Sequence, residues 1–187
     1  MIERLLARLA KALAAQRIPY MIIGGQAVLF YGYPRLTQDV DLTLGVDPEA
    51  VPAILAVCRK AQLTPLVKDP HAFVRATHVL PAQDRASRLR VDLVFSNTPY
   101  EHQAIRRARR VWVGRATVSI ASLEDLIIHK LVAGRPVDVE DVRVLMTRRR
   151  RNADLRYIRR WLKQFVALGV LAHDPLAAFD QLRRSLS

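Results

Sequence analysis

Hydrophobic and polar positions along the chain repeat with two periods, and these periods separate the helices from the strands. Residues 3–16 place Leu5, Leu9 and Leu13 on one stripe at helical spacing, which predicts an amphipathic helix. Short apolar or alternating segments predict strands instead, because side chains alternate between the two faces of a strand. Such segments occur at 20–23, 39–44, 73–80, 89–95, 111–113 and 117–120.

Further helices are predicted between these strands and after the last of them. Ser122 and Asp125 stand three residues apart, which is the spacing of a capping box. The other predicted helices lie at 26–31, over about 14 residues after Asp47, at 100–109, from Asp138 onward, at 154–168 and at 174–185. This order of elements predicts an α/β (α+β) fold with a mixed β-sheet flanked by helices and a C-terminal helical tail.

The composition is that of a globular protein, with 51% hydrophobic and 25% charged residues in a chain of 187. The single cysteine, Cys58, excludes an internal disulfide framework, and its place on an apolar helical stripe predicts a packing role. No apolar run reaches the roughly 18 residues that a membrane-spanning helix needs, and no signal-peptide pattern opens the chain. We therefore expect a cytoplasmic protein with no membrane partner.

The net charge of +13 is concentrated in two segments of the sequence. Residues 85–115 carry a net +6 and residues 143–187 a net +8, whereas the rest of the chain is nearly neutral. A concentrated basic surface indicates a polyanionic partner, with RNA or DNA first. The alternative is a solvated surface that base composition has enriched in arginine, because 25 of the 30 basic residues are arginine.

Three aspartates on predicted strands are the strongest candidates for chemistry. Asp39 and Asp41 are separated by one residue, so their carboxylates face one side of the strand while Val40 faces the other. Two such carboxylates repel each other unless a cation or a proton lies between them, and their oxygens suit Mg²⁺ or Mn²⁺. Asp92 is a charge in an apolar strand, so it either completes a two-metal site or forms a salt bridge with a flanking arginine.

Gly24 and Gly25 lie between a predicted strand and a predicted helix. Glycine lets the backbone approach a ligand closely, and the N–H groups at a helix start bind phosphate. Alone, the pair would indicate only a strand-to-helix turn. Together with the aspartates it forms a joint pattern: Ile23-Gly24-Gly25, then thirteen residues, then Asp39-Val40-Asp41-Leu42.

This joint pattern resembles the signature of the polymerase-β-type nucleotidyltransferase superfamily. Arg35, Thr37 and the later segment from Ser122 to Asp141 make the chain similar to a narrower group, the abortive-infection-type (AbiEii-like) and related bacterial nucleotidyltransferases. The resemblance covers roughly residues 18–145. It implies a nucleotidyltransferase domain over residues 1–151, with residues 152–187 as a basic C-terminal helical extension packed on it.

The resemblance also implies roles for single residues. The implied catalytic and metal-binding residues are Asp39, Asp41 and Asp92, which would hold two Mg²⁺ ions, with Mn²⁺ as an alternative. The implied nucleotide contacts are Gly24, Gly25, Gln26, Arg35, Thr37, Lys130 and Asp138. From the residues alone, Lys130 could instead extend to solvent, and Asp138 could be only a helix cap. Many superfamily members carry serine at the second glycine position, so we expect Gly25 to tolerate serine.

We therefore expect a metal-dependent nucleotidyltransferase that transfers an NMP from an NTP to a hydroxyl of RNA or of a protein. The basic tail makes tRNA a candidate acceptor, and the family resemblance implies a toxin–antitoxin or phage-defence component with a cognate partner protein. Two alternatives stay open. One is a nucleic-acid-binding or antitoxin-like module that keeps the fold without turnover, and the other is a small-molecule (antibiotic) nucleotidyltransferase.

Overall fold

The computed structural model describes residues 1–34, 37–96, 98–149 and 153–186. A 3-10 turn, Pro48–Ala50, directly precedes the α-helix that begins at Val51. The elements in chain order are α1 (Ile2–Ala15), β1 (Tyr20–Ile23), α2 (Gly24–Phe30), β2 (Asp39–Leu44), α3 (Val51–Ala61), β3 (Leu63–Pro65), α4 (Pro70–Thr77), β4 (Val79–Asp84), β5 (Arg90–Phe95), α5 (Pro99–Arg107), β6 (Arg109–Val113), β7 (Ala116–Ile120), α6 (Leu123–Ala133), α7 (Pro136–Arg149), α8 (Leu155–Ala167) and α9 (Pro175–Ser185).

Within the described residues, the strands form one seven-stranded mixed sheet in the order β3-β4-β5-β2-β1-β7-β6. The pairs β2–β5 and β1–β7 are parallel, whereas the other neighbours are antiparallel. β2 is therefore a central strand, and β5 is aligned with it from the pair Asp39–Arg90 to the pair Leu44–Phe95. The mixed sheet with its helices confirms the predicted α/β (α+β) class.

The chain divides into two compact units. Unit 1 comprises Met1–Gln26 and Leu36–Ala121, and unit 2 comprises Ala27–Arg35 and Ser122–Ser187. All the strands lie in unit 1, whereas α6 to α9 lie in unit 2. The predicted boundary between residues 151 and 152 falls outside the described residues, so the division into 1–151 and 152–187 stays a prediction.

The core of unit 1 is built on the helix that the leucine stripe predicts. Leu5, Leu9 and Leu13 are at most 1% exposed, and α1 packs against α3 and β7. Cys58 lies on the buried side of α3, where burial raises the pKa of its thiol to about 12. The thiol is therefore protonated at neutral pH and has the packing role that the sequence predicts.

Unit 2 is a helical assembly in which α6 contacts α7, α8 and α9. Oγ of Ser122 accepts a hydrogen bond from the N–H of Asp125, which confirms the predicted helix start. The apolar stripe of α8 places Ile158 and Leu162 in the interior, each 0% exposed, opposite its arginine-rich face.

The prediction of a strand at 73–80 is wrong. Asp69 starts a helix there by accepting a hydrogen bond from the N–H of Ala72, and Pro70 occupies its first turn. His78 ends that helix in a left-handed conformation, and β4 follows. The strand β3 is also missed by the sequence pattern, because its three residues are too few to show alternation.

None of the helices in the described residues is both long and apolar enough to cross a membrane. The cytoplasmic location stays a prediction.

Candidate active site

The candidate site is built on β2, where two aspartates alternate with core residues. Val40 and Leu42 are 0% exposed, whereas Asp39 and Asp41 are half-buried on the opposite face. Asp92 lies on the neighbouring strand β5 as the register partner of Asp41. Because register partners on adjacent parallel strands project to the same face, the fold brings the three predicted carboxylates to one face at the centre of the sheet.

Gly24 begins α2 directly beside one of these carboxylates. Its backbone is left-handed, with φ of +66°, and a Cβ atom there would lie 1.9 Å from Oδ2 of Asp41. Both the conformation and the close approach require glycine. The first predicted glycine is therefore part of the acidic site.

Thr37 and Gln26 join the glycine turn to the other aspartate of β2. Oγ1 of Thr37 donates a hydrogen bond of 2.7 Å to Oδ1 of Asp39, and Nε2 of Gln26 donates one of 3.3 Å to the backbone oxygen of Asp39. A Cβ on Gly25 would lie 2.6 Å from Oγ1 of Thr37 and 2.8 Å from its Cβ. The structure therefore argues against the expectation that Gly25 tolerates serine, since Thr37 would have to move.

Asp92 is held by an arginine of its own strand. Nε of Arg90 donates to both carboxylate oxygens of Asp92, at 2.9 and 3.0 Å. Arg90 is also the register partner of Asp39, so its cation stands on the same face as the three carboxylates. The salt bridge with a flanking arginine, which the sequence left open for Asp92, is formed in the structure.

The chemistry of these side chains fits a hard divalent cation, because all three offer carboxylate oxygens on one face. Within the part of the chain that the structure describes, no group of three or more His, Cys, Asp or Glu side chains has the arrangement of a metal site. The metal-binding roles of Asp39, Asp41 and Asp92 stay predictions.

Lys130 and Asp138, the predicted nucleotide contacts of the later motif, belong to unit 2. Nζ of Lys130 lies 2.8 Å from carboxylate oxygens of both Asp138 and Asp141, and all three side chains are at most 4% exposed. Nε of Arg135 lies 2.5 Å from the other oxygen of Asp138. The alternative in which Lys130 extends to solvent is therefore wrong, and Asp138 lies inside α7 rather than at its N-cap.

Ion pairs with Lys130 and Arg135 decide the charge state of the Asp138 carboxyl. Burial alone would raise the pKa of Asp138, but the hydrogen bonds from Arg135 and Lys130 outweigh burial and lower the pKa of this carboxyl below its usual range. Asp138 is therefore ionised at neutral pH. Its role in nucleotide binding, like that of Lys130, stays a prediction.

A second buried cluster lies on α6 and α8. Asp125 is 0% exposed, and its carboxylate accepts a hydrogen bond of 2.8 Å from Oη of Tyr157 and one of 2.5 Å from Oγ of Ser122. His129 lies one turn further along α6, where burial lowers the pKa of its imidazole to about 4. His129 is therefore neutral at pH 7.

Sequence reasoning missed two partners in these clusters. Arg90 stands two residues before Asp92, and that spacing on a strand could have identified it as a same-face neighbour. Asp141 was visible only as a residue three positions after Asp138, and its contact with Lys130 depends on how α6 and α7 pack. Arg35 lies outside the described residues.

The fold is shared with several solved structures, one of which is described as a nucleotidyltransferase-like protein. An antigenic nucleotidyltransferase-like protein from Paracoccidioides brasiliensis has a TM-score of 0.54 and 20% identity, over 78% of this chain and 75% of that one. The antibiotic-resistance factor ANT(2'')-Ia has a TM-score of 0.60 and 16% identity, over 90% of this chain and 95% of that one. JHP933 from Helicobacter pylori has a TM-score of 0.52 and 15% identity, over 98% of this chain and 91% of that one. At these identities the likeness shows the nucleotidyltransferase fold.

The sequence itself shows the narrower family. The family described as "Nucleotidyl transferase AbiEii toxin, Type IV TA system" matches residues 4–182. The chain therefore belongs to this family of toxin nucleotidyltransferases, which confirms the predicted recognition and the predicted enzyme class. No protein with curated annotation is significantly similar to it in sequence.

Proposed function

We propose that this chain transfers an NMP from an NTP to a hydroxyl group of RNA, with tRNA a candidate, or of a protein, in a metal-dependent reaction. The observation that supports this most directly is the contact between the glycine turn and the acidic strand, where a Cβ on Gly24 would lie 1.9 Å from Oδ2 of Asp41. A glycine backbone this close to a carboxylate brings N–H groups, which suit phosphate, beside oxygens that suit a divalent cation. The family adds a toxin–antitoxin role, so we expect a cognate antitoxin as partner.

In this proposal Asp39, Asp41 and Asp92 would hold the cations on the face of the sheet that they share. Two Mg²⁺ ions, or Mn²⁺ in their place, would neutralise phosphate charge and acidify the acceptor hydroxyl when bound. Thr37 keeps Asp39 oriented through its hydrogen bond of 2.7 Å. Gln26 fixes the backbone of β2 at the same residue.

The reaction is an in-line displacement at the α-phosphorus of the NTP. The acceptor oxygen forms a bond to this phosphorus, the bond to the bridging β-phosphate oxygen breaks, and pyrophosphate leaves with the electron pair. The hydroxyl proton passes toward Asp92. Asp92 must then exchange its hydrogen bonds with Arg90, at 2.9 and 3.0 Å, for a contact with the acceptor.

The predicted nucleotide contacts comprise residues next to the acidic strand β2 and residues from other parts of the sequence. Gly24, Gly25, Gln26 and Thr37 surround the acidic strand in unit 1, and they would accommodate the triphosphate. Lys130, Asp138 and Arg35 complete the predicted set. The side chains of Lys130 and Asp138 are at most 4% exposed, so a direct contact with nucleotide would require their ion pair to open.

A polyanionic acceptor is favoured over a cationic one by the net charge of +13. The small-molecule alternative is supported by the shared fold of ANT(2'')-Ia, an antibiotic-resistance factor. A module without turnover would have no need of the glycine turn that meets Asp41.

Incubation of the purified protein with Mg²⁺, each labelled NTP and total RNA tests the proposal. We expect label in the RNA or protein fraction, and we expect Asp39→Asn and Asp41→Asn to abolish transfer while the fold stays intact. Asp47→Asn is the matched control, because Asp47 is an exposed aspartate that lies after the end of the acidic strand. Native transfer by Asp39→Asn or Asp41→Asn would contradict the metal role, and absence of label from both fractions would contradict both proposed acceptors.

A further inference from the structure

An exposed tryptophan marks one edge of the sheet. β6 is an edge strand that is paired with β7 in the described sheet, and Trp112 lies opposite Thr117 of that partner. The side chain of Trp112 is 77% exposed. Tryptophan is highly buried on average, so an indole exposed to this extent on an edge strand is available to stack against a ligand.

The same hairpin is strongly basic. Residues 102–123 contain five arginines and no Asp or Glu. Arg109, Arg110 and Arg115 are exposed, and within the described residues none of the three forms a salt bridge. A carboxylate does approach the turn, since Oε2 of Glu3 lies 3.3 Å from the position of a Cβ on Gly114. The surface nevertheless keeps a positive net charge, which suits an anionic ligand.

The spacing on β6 combines the aromatic ring with the cations. Arg110 and Trp112 are two residues apart on a strand, so they project from the same face at roughly 7 Å from each other. Proteins bind single-stranded nucleic acid with this combination, because bases stack on the ring and phosphates pair with the guanidinium groups. A peptide added to the edge would use the backbone groups of β6 and would not need a row of arginines.

We propose that Arg110, Trp112 and Arg115, here named the β6 surface, bind single-stranded RNA. Trp112 stacks on a base, and the arginines hold the phosphates on either side of it. The inference rests on the proposed function in one respect, namely that this RNA is the acceptor. The binding itself requires neither an NTP nor a metal ion.

The basic helix α8 is a less favourable RNA surface than its charge suggests. Arg159 forms a salt bridge with Asp180. The guanidinium of Arg160 lies over the rings of Tyr157 and Trp161, at 5.4 and 5.8 Å from their centres. These two cations already have partners, and none of the aromatic residues of α8 is exposed as Trp112 is, so the β6 surface is the stronger candidate.

Tryptophan fluorescence tests this surface directly, because the chain has only two tryptophans. In a Trp161→Phe variant, Trp112 is the sole indole, and it reports stacking at the β6 surface. We expect a mixed-sequence single-stranded RNA of about 20 nucleotides to quench this fluorescence and to protect it from acrylamide. The titration is done without NTP and without divalent cations, so a failure of the proposed reaction does not affect it.

Binding measurements on the full-length chain give the second test. Stacking contributes enough that Trp112→Ala should weaken RNA binding by about tenfold or more, whereas Trp112→Phe should retain most of the affinity. Arg110→Gln should reduce the slope of log affinity against log salt by about 0.7. Arg75→Gln is the matched control, since Arg75 is an exposed arginine of α4 in the same unit.

The outcomes separate the possible occupants of this edge. Native affinity in Trp112→Ala, or RNA binding without any change in Trp112 fluorescence, would overturn the proposal. So would the absence of RNA binding by the unmodified chain. Protection of Trp112 that depends on protein concentration instead of RNA would show that a second copy covers the edge, and this would also overturn it.

Discussion

Replacing Gly24 with alanine tests whether the glycine turn and Asp41 form one site. The added Cβ would meet two obstacles, a backbone φ of +66° and a position 1.9 Å from Oδ2 and 2.9 Å from Cγ of Asp41. The variant must therefore move either the carboxylate or the turn. In both cases we expect the candidate active site to lose its geometry.

Alanine at a second glycine, Gly169, separates the cost of the collision with Asp41 from the cost of backbone strain. Gly169 has the same φ of +66°, but a Cβ there would meet nothing within 4 Å. A left-handed conformation costs an L-residue about 1 kcal/mol, so Gly169→Ala should lower the free energy of unfolding by about this amount. Gly24→Ala should lower it by at least about 1 kcal/mol more, because the collision adds to the same strain.

Urea unfolding and pyrophosphate release measure the two consequences on the same protein samples. A misplacement of about 1 Å in an active site can lower the rate by roughly a hundredfold, so we expect at least this loss of kcat/KM in Gly24→Ala. Gly169→Ala should stay within about twofold of the native rate. If Gly24→Ala kept the native rate and lost no more stability than Gly169→Ala, the argument for a joint site would be refuted.

Three other variants test the charged groups of the structure. Lys130→Met should lower the free energy of unfolding in urea by about 3–5 kcal/mol, because it leaves two buried carboxylates without their shared cation. His129 titrates near pH 6.5 in the unfolded chain but at about 4 in the folded chain, because burial lowers its pKa. Stability should therefore fall by about 3 kcal/mol as the pH drops from 6.5 to 4, and His129→Gln should remove this contribution from a pH series of unfolding curves. Arg90→Gln should tighten Mn²⁺ binding by up to about fivefold in calorimetry, because both oxygens of Asp92 lose their competing cation.

Matched controls and contrary outcomes accompany these variants. Arg143→Gln breaks an exposed pair with Glu140 at 3.2 Å, so it should cost less than about 1 kcal/mol, and an equal loss in Lys130→Met would contradict the burial argument. Arg88→Gln removes an exposed arginine from the same region without touching Asp92, so Mn²⁺ binding should not change. Unchanged Mn²⁺ affinity in Arg90→Gln would show that the salt bridge does not compete with the cation. An unchanged pH profile in His129→Gln would show that another group causes the acid loss of stability.

The sequence by itself determined the features that depend on neighbouring residues. The alternation around Val40 placed Asp39 and Asp41 on one face of a strand, because side-chain direction in a strand repeats every two residues. The leucine stripe of residues 3–16 predicted a helix with the correct buried face, because a helical stripe also repeats over a short distance. The capping relation of Ser122 and Asp125 followed from their spacing.

The tertiary structure decided which distant residues meet. Asp92 lies beside Asp41 because β2 and β5 are paired in parallel register. Lys130 contacts the carboxylates of Asp138 and Asp141 because α6 packs against α7. Strand register and helix packing depend on the sum of many weak contacts between segments far apart in the chain, and a local pattern does not contain that sum. The segment at 73–80 fails as a sequence prediction for a related reason: the cap at Asp69 outweighed the local preference for a strand.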